Sequence, residues 1–489
     1  MFALSQLARP PAASAGIDVL APDAVATKEL TAIFVPFVAD TFMHVLLLSV
    51  PGLRVEDLSR MPVLAGLASV GRCVPLAPGF PAVTCPVQAS LTTGGRPAAH
   101  GILANGLVDR GTNHLEMWIS PDAVHRAPRI WERLKADRPD LRTAAWFLLQ
   151  SKHATADLVC LPAPKHNADG SETMWCHTNP EPLYAALREK LGEFPLHKFW
   201  GPVAGIESSR WIARSFVEAS RAAPPHGAVV YLPHLDYAAQ RSGPDSPPAL
   251  AACGELDAEI GMLIDDFAGI VGRDNLTVLV AGEYRIRPVS HAIHPNRILR
   301  EAGLLAVRDT PEGEILDFAA SRAWTLADHQ IGHVYLRDPA DAMAVADLFR
   351  GRAGVGRVLT GDDLVAAGLV PPGQPRLESR CGDVVVESSL DSWQTYFYWL
   401  DDAKAPSFAR TIDIHRKPGY DPLELHLDRT KLPTIEIPLD PTLVKGSHGA
   451  VDPANPYETI FIASRVGVTA AEKLASTDIA GIMEQLLDG

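Results

Sequence analysis

Three apolar runs of strand length punctuate the chain: His44-Val45-Leu46-Leu47-Leu48-Ser49-Val50, Ala228-Val229-Val230-Tyr231-Leu232 and Leu276-Thr277-Val278-Leu279-Val280-Ala281. Runs of this kind, almost without charge, predict strands buried on both faces of a parallel sheet. Between them, apolar residues recur at helical spacing. Residues 54–70 show it and stop at Gly71, and Leu250–Ile270 sets Leu256, Ile260, Leu263, Ile264 and Phe267 on one side. Strand, helix and strand in succession predict an α/β fold: a doubly wound, mostly parallel sheet with helices on both faces. The ligand site of such a sheet lies beyond the carboxyl ends of its strands. Attention therefore falls on the residues after Val50, Leu232 and Ala281.

From 305 to 435 the pattern changes. Shorter strand-like runs (Val355–Thr360, Asp383–Ser388, Tyr396–Leu400) alternate with Pro and Gly, which predicts an inserted cap subdomain. The expected organisation is an Ala/Pro-rich extension over 1–42, a first core part over 43–304, the cap over 305–435, and a second core part over 436–489 that closes with a helix over 468–487. A length of 489 residues suits several domains or one large domain with insertions. The net charge of −14 argues against a nucleic-acid polymer as partner, since phosphate backbones need Lys and Arg. A small phosphorylated metabolite in a locally positive pocket remains compatible with it. The best apolar run, Val45–Val50, is too short to span a membrane, and no cationic start followed by an apolar core opens the chain. Six scattered cysteines without a CxxC pair suit a reducing compartment, so a cytoplasmic protein is expected, with no membrane partner. Homo-oligomerisation stays open.

The most specific stretch is Phe80-Pro81-Ala82-Val83-Thr84-Cys85-Pro86, followed by His100-Gly101-Ile102 and Asn105-Gly106. It places a hydroxyl residue at a turn before a helix, where free N–H groups and the dipole attract an anion. Thr84 reads either as an activated nucleophile or as a plain helix cap; Cys85 is a competing thiol. Three further stretches carry polar groups at strand ends: His234 with Asp236 and Gln240, then Glu283-Tyr284-Arg285, and finally Gly446-Ser447-His448-Gly449. Phe199–Pro202 and Ser208–Trp211 read as a pocket lining, with Arg210 as anion partner, or as a packed aromatic corner.

These motifs resemble the nucleotide pyrophosphatase/phosphodiesterase branch of the alkaline-phosphatase superfamily. In that family an FP-x-x-T-x-P run carries a metal-bound Thr nucleophile, and HGI-x-x-N supplies an Asn to the phosphate. The resemblance implies an alkaline-phosphatase-like fold, Thr84 as nucleophile and Asn105 as substrate contact. Asp236 and His448 match metal ligands. Gln240 stands where a His is usual, Glu283-Tyr284 where Asp-His is usual, and Pro51 where an Asp is usual. The resemblance to a bacterial branch with the same replacements covers most of residues 45–465, including Ala327-Asp328-His329-Gln330 and Asp413-Ile414-His415-Arg416. Such clusters, His415 among them, offer replacement ligands, a substrate grip, or simply a salt-bridged His in the cap. The implied function is hydrolysis of a phosphodiester or pyrophosphate bond in a small soluble metabolite. The implied activation of Thr84 is by a metal or by Glu283. One Zn²⁺ is expected rather than two, on Asp236 and His448 with Gln240, Glu283 or His415 completing the shell. The alternatives are a transferase, isomerase or lyase on the same fold, and a metal-free binding relative.

Overall fold

The computed structural model describes residues 43–166, 172–431 and 433–488; the extension expected over 1–42 lies outside the described residues. Among the described residues, the first part of the chain gives seven strands to the central sheet: β1 (His44–Val50), β2 (Arg72–Ala77), β3 (Thr143–Trp146), β4 (Leu158–Pro162), β5 (Cys176–Asn179), β6 (Gly227–Tyr231) and β7 (Leu276–Gly282). Then come β8 (Ala323–Asp328), β9 (Ile331–Leu336), β10 (Val355–Thr360) and β11 (Val384–Ser388), which form a separate antiparallel sheet in the order β8-β9-β11-β10. The chain returns with β12 (Thr459–Ala463) and β13 (Leu474–Ala475).

The central sheet runs β13-β2-β12-β7-β1-β6-β3-β4-β5. Its middle five strands, β7 to β4, are parallel; β5 and β12 flank them antiparallel. All seven residues of β1 are buried. Successive strand side chains point to opposite faces, so both faces are covered. The helices that cover them are α1 (Pro62–Val70), α2 (Thr84–Thr93), α3 (Ile130–Asp137), α4 (Ile206–Ser220), α5 (His234–Ser242), α6 (Pro247–Val271) and α7 (Ile479–Asp488). Helix α6 packs on α1, α4, α5 and β7, whereas α7 packs on α2, α3 and β1. This is the α/β fold with a mostly parallel sheet that the apolar runs predict.

Three local expectations change. Residues 54–70 are not one helix: a 3-10 turn over Val55–Arg60 precedes α1, because Pro62 disfavours helical backbone at Met61 and itself starts a helix well. Tyr396–Leu400 is not a strand. The rings of Tyr396, Phe397, Tyr398 and Trp399 are all buried in a second apolar cluster that gathers residues from 289 to 444 together with Ala104, Val108 and Met117, so no face is left for alternation. The last helix begins at Ile479 rather than near 468, after Asp478 accepts a hydrogen bond from the Ala475 N–H at 2.8 Å and β13 has joined the sheet.

Candidate active site

Strand register builds the site. Ser49 lies level with Tyr231 in β6 and with Ala281 in β7. The three strands therefore end together, releasing Pro51, Leu232 to Asp236, and Glu283-Tyr284 into one region. Thr84 is the first residue of α2, behind an extended Val83, and every residue of that helix is buried. Asn105 caps the same helix end: its side-chain oxygen accepts the Cys85 N–H at 3.0 Å. Asp328, at the end of β8, holds Asn105 twice, through the backbone N–H (2.7 Å) and through Nδ2 (3.0 Å). Burial pushes the Cys85 thiol well up, so the thiolate needed for a competing attack is disfavoured.

The Thr84 hydroxyl lies 3.0 Å from the Tyr284 hydroxyl. Tyr284 has one hydroxyl proton and donates it to Asp236 Oδ1 at 3.4 Å. It must therefore accept from Thr84, which gives the chain Thr84 to Tyr284 to Asp236 a single direction. The Tyr284 ring lies flat on His448, 3.6 Å away and 6° from parallel. His448 meets His329 at 3.9 Å, and His329 stacks on Tyr420 at 3.6 Å. The four rings form a column whose far end, the Tyr420 hydroxyl, donates to Gln240 Oε1 at 2.7 Å. Two backbone features set this column. His329 sits at φ +60° in the two-residue turn between β8 and β9, a conformation that costs about 1 kcal/mol or more for a residue other than glycine. Gly419, at φ +153°, lies so close to Ala327 that a Cβ would stand 2.6 Å from its carbonyl oxygen, and this approach delivers Tyr420.

Glu283 is fully buried. Its Oε1 accepts from Ser49 Oγ (2.6 Å) and from Gln88 Nε2 (2.9 Å), and its Oε2 has no hydrogen-bond partner. Burial pushes this carboxyl up to about 8, which makes it a neutral acid tying β1, β7 and α2 together at neutral pH. Burial also raises Asp236, to about 6. His448 donates Nδ1–H to the Ala82 carbonyl at 2.9 Å. Its Nε2 is buried without a hydrogen-bond partner, 3.9 Å from Asp236 Oδ1.

The structure thus brings Thr84, Asn105, Asp236, Gln240, Glu283 and His448 to one end of the sheet. Arg210 and His415 have partners elsewhere. Arg210 pairs with Glu259 at 2.5 Å between α4 and α6, and exposed His415 bonds the Met117 carbonyl at 3.2 Å. His234 pairs with Glu255 at 2.7 Å. Trp200 donates to Glu424 at 2.6 Å and packs on Tyr420, so its stretch is a packed aromatic corner. Sequence reasoning left out Tyr284 as a partner of Thr84, Gln88 and Ser49 as partners of Glu283, and Tyr420 as a partner of Gln240. Gln88 had a signal: it follows Thr84 by four residues, one helical turn.

Residues 45–421 match the type I phosphodiesterase/nucleotide pyrophosphatase family. The chain belongs to this family. An uncharacterized pyrophosphatase/phosphodiesterase of Schizosaccharomyces pombe is 23% identical over 282 residues; that match spans 53% of this chain and about half, 50%, of the curated relative. Murine ectonucleotide pyrophosphatase/phosphodiesterase 5 superposes with a TM-score of 0.57 at 15% identity, covering 91% of this chain and 95% of its own. Phosphonoacetate hydrolase from Sinorhizobium meliloti, solved with phosphonoformate, gives 0.58 at 17% identity, covering 91% and 96%. These likenesses establish an alkaline-phosphatase-like fold. Among the described residues no helix is long and apolar enough to cross a membrane.

Within this family member the expected zinc set does not converge. Structural zinc takes four protein ligands and catalytic zinc three. Gln240 has its oxygen on Tyr420, Glu283 has Oε1 on Ser49 and Gln88, and Pro51 offers no donor. Asp236 and His448 face each other, at 3.9 Å. Among the described residues no three His, Cys, Asp or Glu side chains form a metal-holding group. The donor set present does not fit a three- or four-ligand zinc site.

Proposed function

We propose that this chain hydrolyses a phosphodiester or pyrophosphate bond of a small soluble metabolite, with Thr84 as the nucleophile. The observation that carries the reading is the setting of the Thr84 hydroxyl: it opens a buried helix and is hydrogen-bonded at 3.0 Å to Tyr284. The helix end supplies backbone N–H groups and a positive dipole for the equatorial oxygens. Asn105 adds an amide: Asp328 takes one Nδ2 hydrogen, leaving the second for a phosphate oxygen. Attack by Thr84 gives a phosphothreonine, which water then cleaves. Glu283, a neutral acid, braces α2 through Gln88. Family membership supports the reaction class, and the two structural neighbours are named for a nucleotide pyrophosphatase/phosphodiesterase and a phosphonoacetate hydrolase. All six cysteines are free thiols, which supports a reducing, cytoplasmic setting.

The test is hydrolysis of bis(4-nitrophenyl) phosphate by the purified chain and its Thr84→Ala variant. Loss of a nucleophile should lower kcat by at least about 1000-fold. Intact-mass spectrometry after acid quench should find one 4-nitrophenyl phosphoryl group on the wild type and none on the variant. A Thr84→Ala protein with wild-type turnover would sink the assignment.

A further inference from the structure

Two tyrosines and two histidines stack as a column in the region where expected ligand positions read Pro51, Gln240 and Tyr284, and both tyrosine hydroxyls end on polar groups of the site. The Tyr284 hydroxyl touches Thr84 at 3.0 Å and Asp236 at 3.4 Å. Its ring cannot swing freely, because it lies face to face on His448, which is itself fixed to the Ala82 carbonyl. A buried tyrosine needs one hydrogen-bond partner for its hydroxyl, and Asp236 alone would satisfy that. Contact with Thr84 as well puts the phenol between hydroxyl and carboxylate, the geometry of a proton path.

We propose that Tyr284, backed by Asp236, takes at Thr84 the part that a metal takes in a two-metal phosphodiesterase: it fixes the attacking oxygen and receives its proton. The inference rests on Thr84 being the nucleophile. As Thr84 Oγ1 bonds to phosphorus, its proton passes to Tyr284 Oη, and the tyrosine's own proton passes to Asp236 Oδ1. The bond from phosphorus to the leaving oxygen breaks with its electron pair, and that oxygen takes a proton from solvent. Water then attacks phosphorus and releases a proton to solvent. The Thr84 Oγ1–P bond breaks, and Asp236 returns its proton through Tyr284 to Thr84.

Tyr284→Phe keeps the ring on His448 and removes only the hydroxyl. It should lower kcat on bis(4-nitrophenyl) phosphate by about 100-fold or more, within the usual range for a proton-transfer group, while KM and the urea midpoint stay close to wild type. Asp236→Asn should also lower kcat without restoring it on addition of Zn²⁺, Mn²⁺ or Mg²⁺. Elemental analysis of the protein purified without chelator should find substoichiometric metal, and EDTA should leave its thermal midpoint unchanged. One tightly held metal per chain, with a midpoint that drops on chelation, would overturn the inference, and this readout needs no turnover. So would wild-type kcat in Tyr284→Phe while Thr84→Ala is inactive. Full activity in Thr84→Ala marks the failure of the nucleophile reading instead.

Discussion

Asp328→Asn isolates how much the site depends on one buried carboxylate. Asp328 Oδ2 accepts the Asn105 backbone N–H at 2.7 Å, and Oδ1 accepts Asn105 Nδ2 at 3.0 Å and His329 Nδ1 at 2.7 Å. Three donors thus converge on two oxygens, with no exposure to water. An amide has one oxygen and one NH₂ group, so either orientation turns two hydrogens toward another donor. At least one buried donor is left without an acceptor, at about 1–3 kcal/mol. If the Asn105 side chain moves in response, its bond from the Cys85 N–H goes too, for about 1 kcal/mol more. The variant should lose roughly 2–4 kcal/mol in urea unfolding. If Asn105 contacts the phosphate as proposed, that contact is lost too, and kcat should fall about 100-fold, the scale of losing one donor to a developing charge. The measurements are urea midpoints and bis(4-nitrophenyl) phosphate kinetics for Asp328→Asn, Asn105→Ala and the double variant. Asp328 acts on catalysis through Asn105, so the kinetic effects must not add. Strict additivity, or a single variant indistinguishable from wild type, refutes the chain of reasoning.

Acid should weaken the fold through histidines that burial keeps neutral. His100 is held down to about 3 and His333 to about 4, against about 6.5 unfolded. The unfolded chain binds these protons first, so the stability is fully present above the unfolded value and is lost as pH falls toward the folded one. For His333 the loss is roughly 3 kcal/mol by about pH 4; urea midpoints that stay flat from about pH 7 to 4.5 would contradict it. Arg129 is wholly buried between Asp122 (3.2 Å), the Gln150 carbonyl (2.8 Å) and Thr92 Oγ1 (3.0 Å). Arg129→Met leaves the Asp122 carboxylate unpaired and should destabilise by about 3–5 kcal/mol, read as a shifted urea midpoint; an unshifted midpoint means that solvent reaches Asp122.

The three apolar runs were enough to place the sheet and the end where the candidate residues gather, because full burial forces a continuous apolar pattern on a parallel strand. The Phe80–Pro86 stretch pointed to the helix that opens at Thr84, through its resemblance to the family motif and a hydroxyl residue at a turn before a helix. What stayed hidden was partnership across the chain. Glu283 and Gln240 look like metal ligands beside their neighbours in sequence; one Glu283 oxygen is taken by Ser49 and Gln88, and the Gln240 oxygen by Tyr420. Tyr284 and His448 stack across 164 positions, and no local period encodes such a contact. Asp328 and His329 did stand out as an acidic-imidazole pair, but their task as the clamp on Asn105 depends on where a hairpin turn lands. The four consecutive aromatics from Tyr396 misled for a related reason: β-propensity describes a half-buried pleated surface, and here there is no such surface.

The position of β12 has a consequence for biosynthesis. This strand, Thr459–Ala463, is inserted between β2 and β7, binding residues made nearly four hundred positions earlier at one side and almost two hundred at the other. A nascent chain that has not yet delivered it carries two open edges, on β2 and β7, where backbone N–H and C=O groups await a neighbour. His448, which clamps Tyr284, also arrives late. Translation must pass residue 463 before β2 and β7 are joined, and until then the growing chain depends on whatever shields those edges at the ribosome.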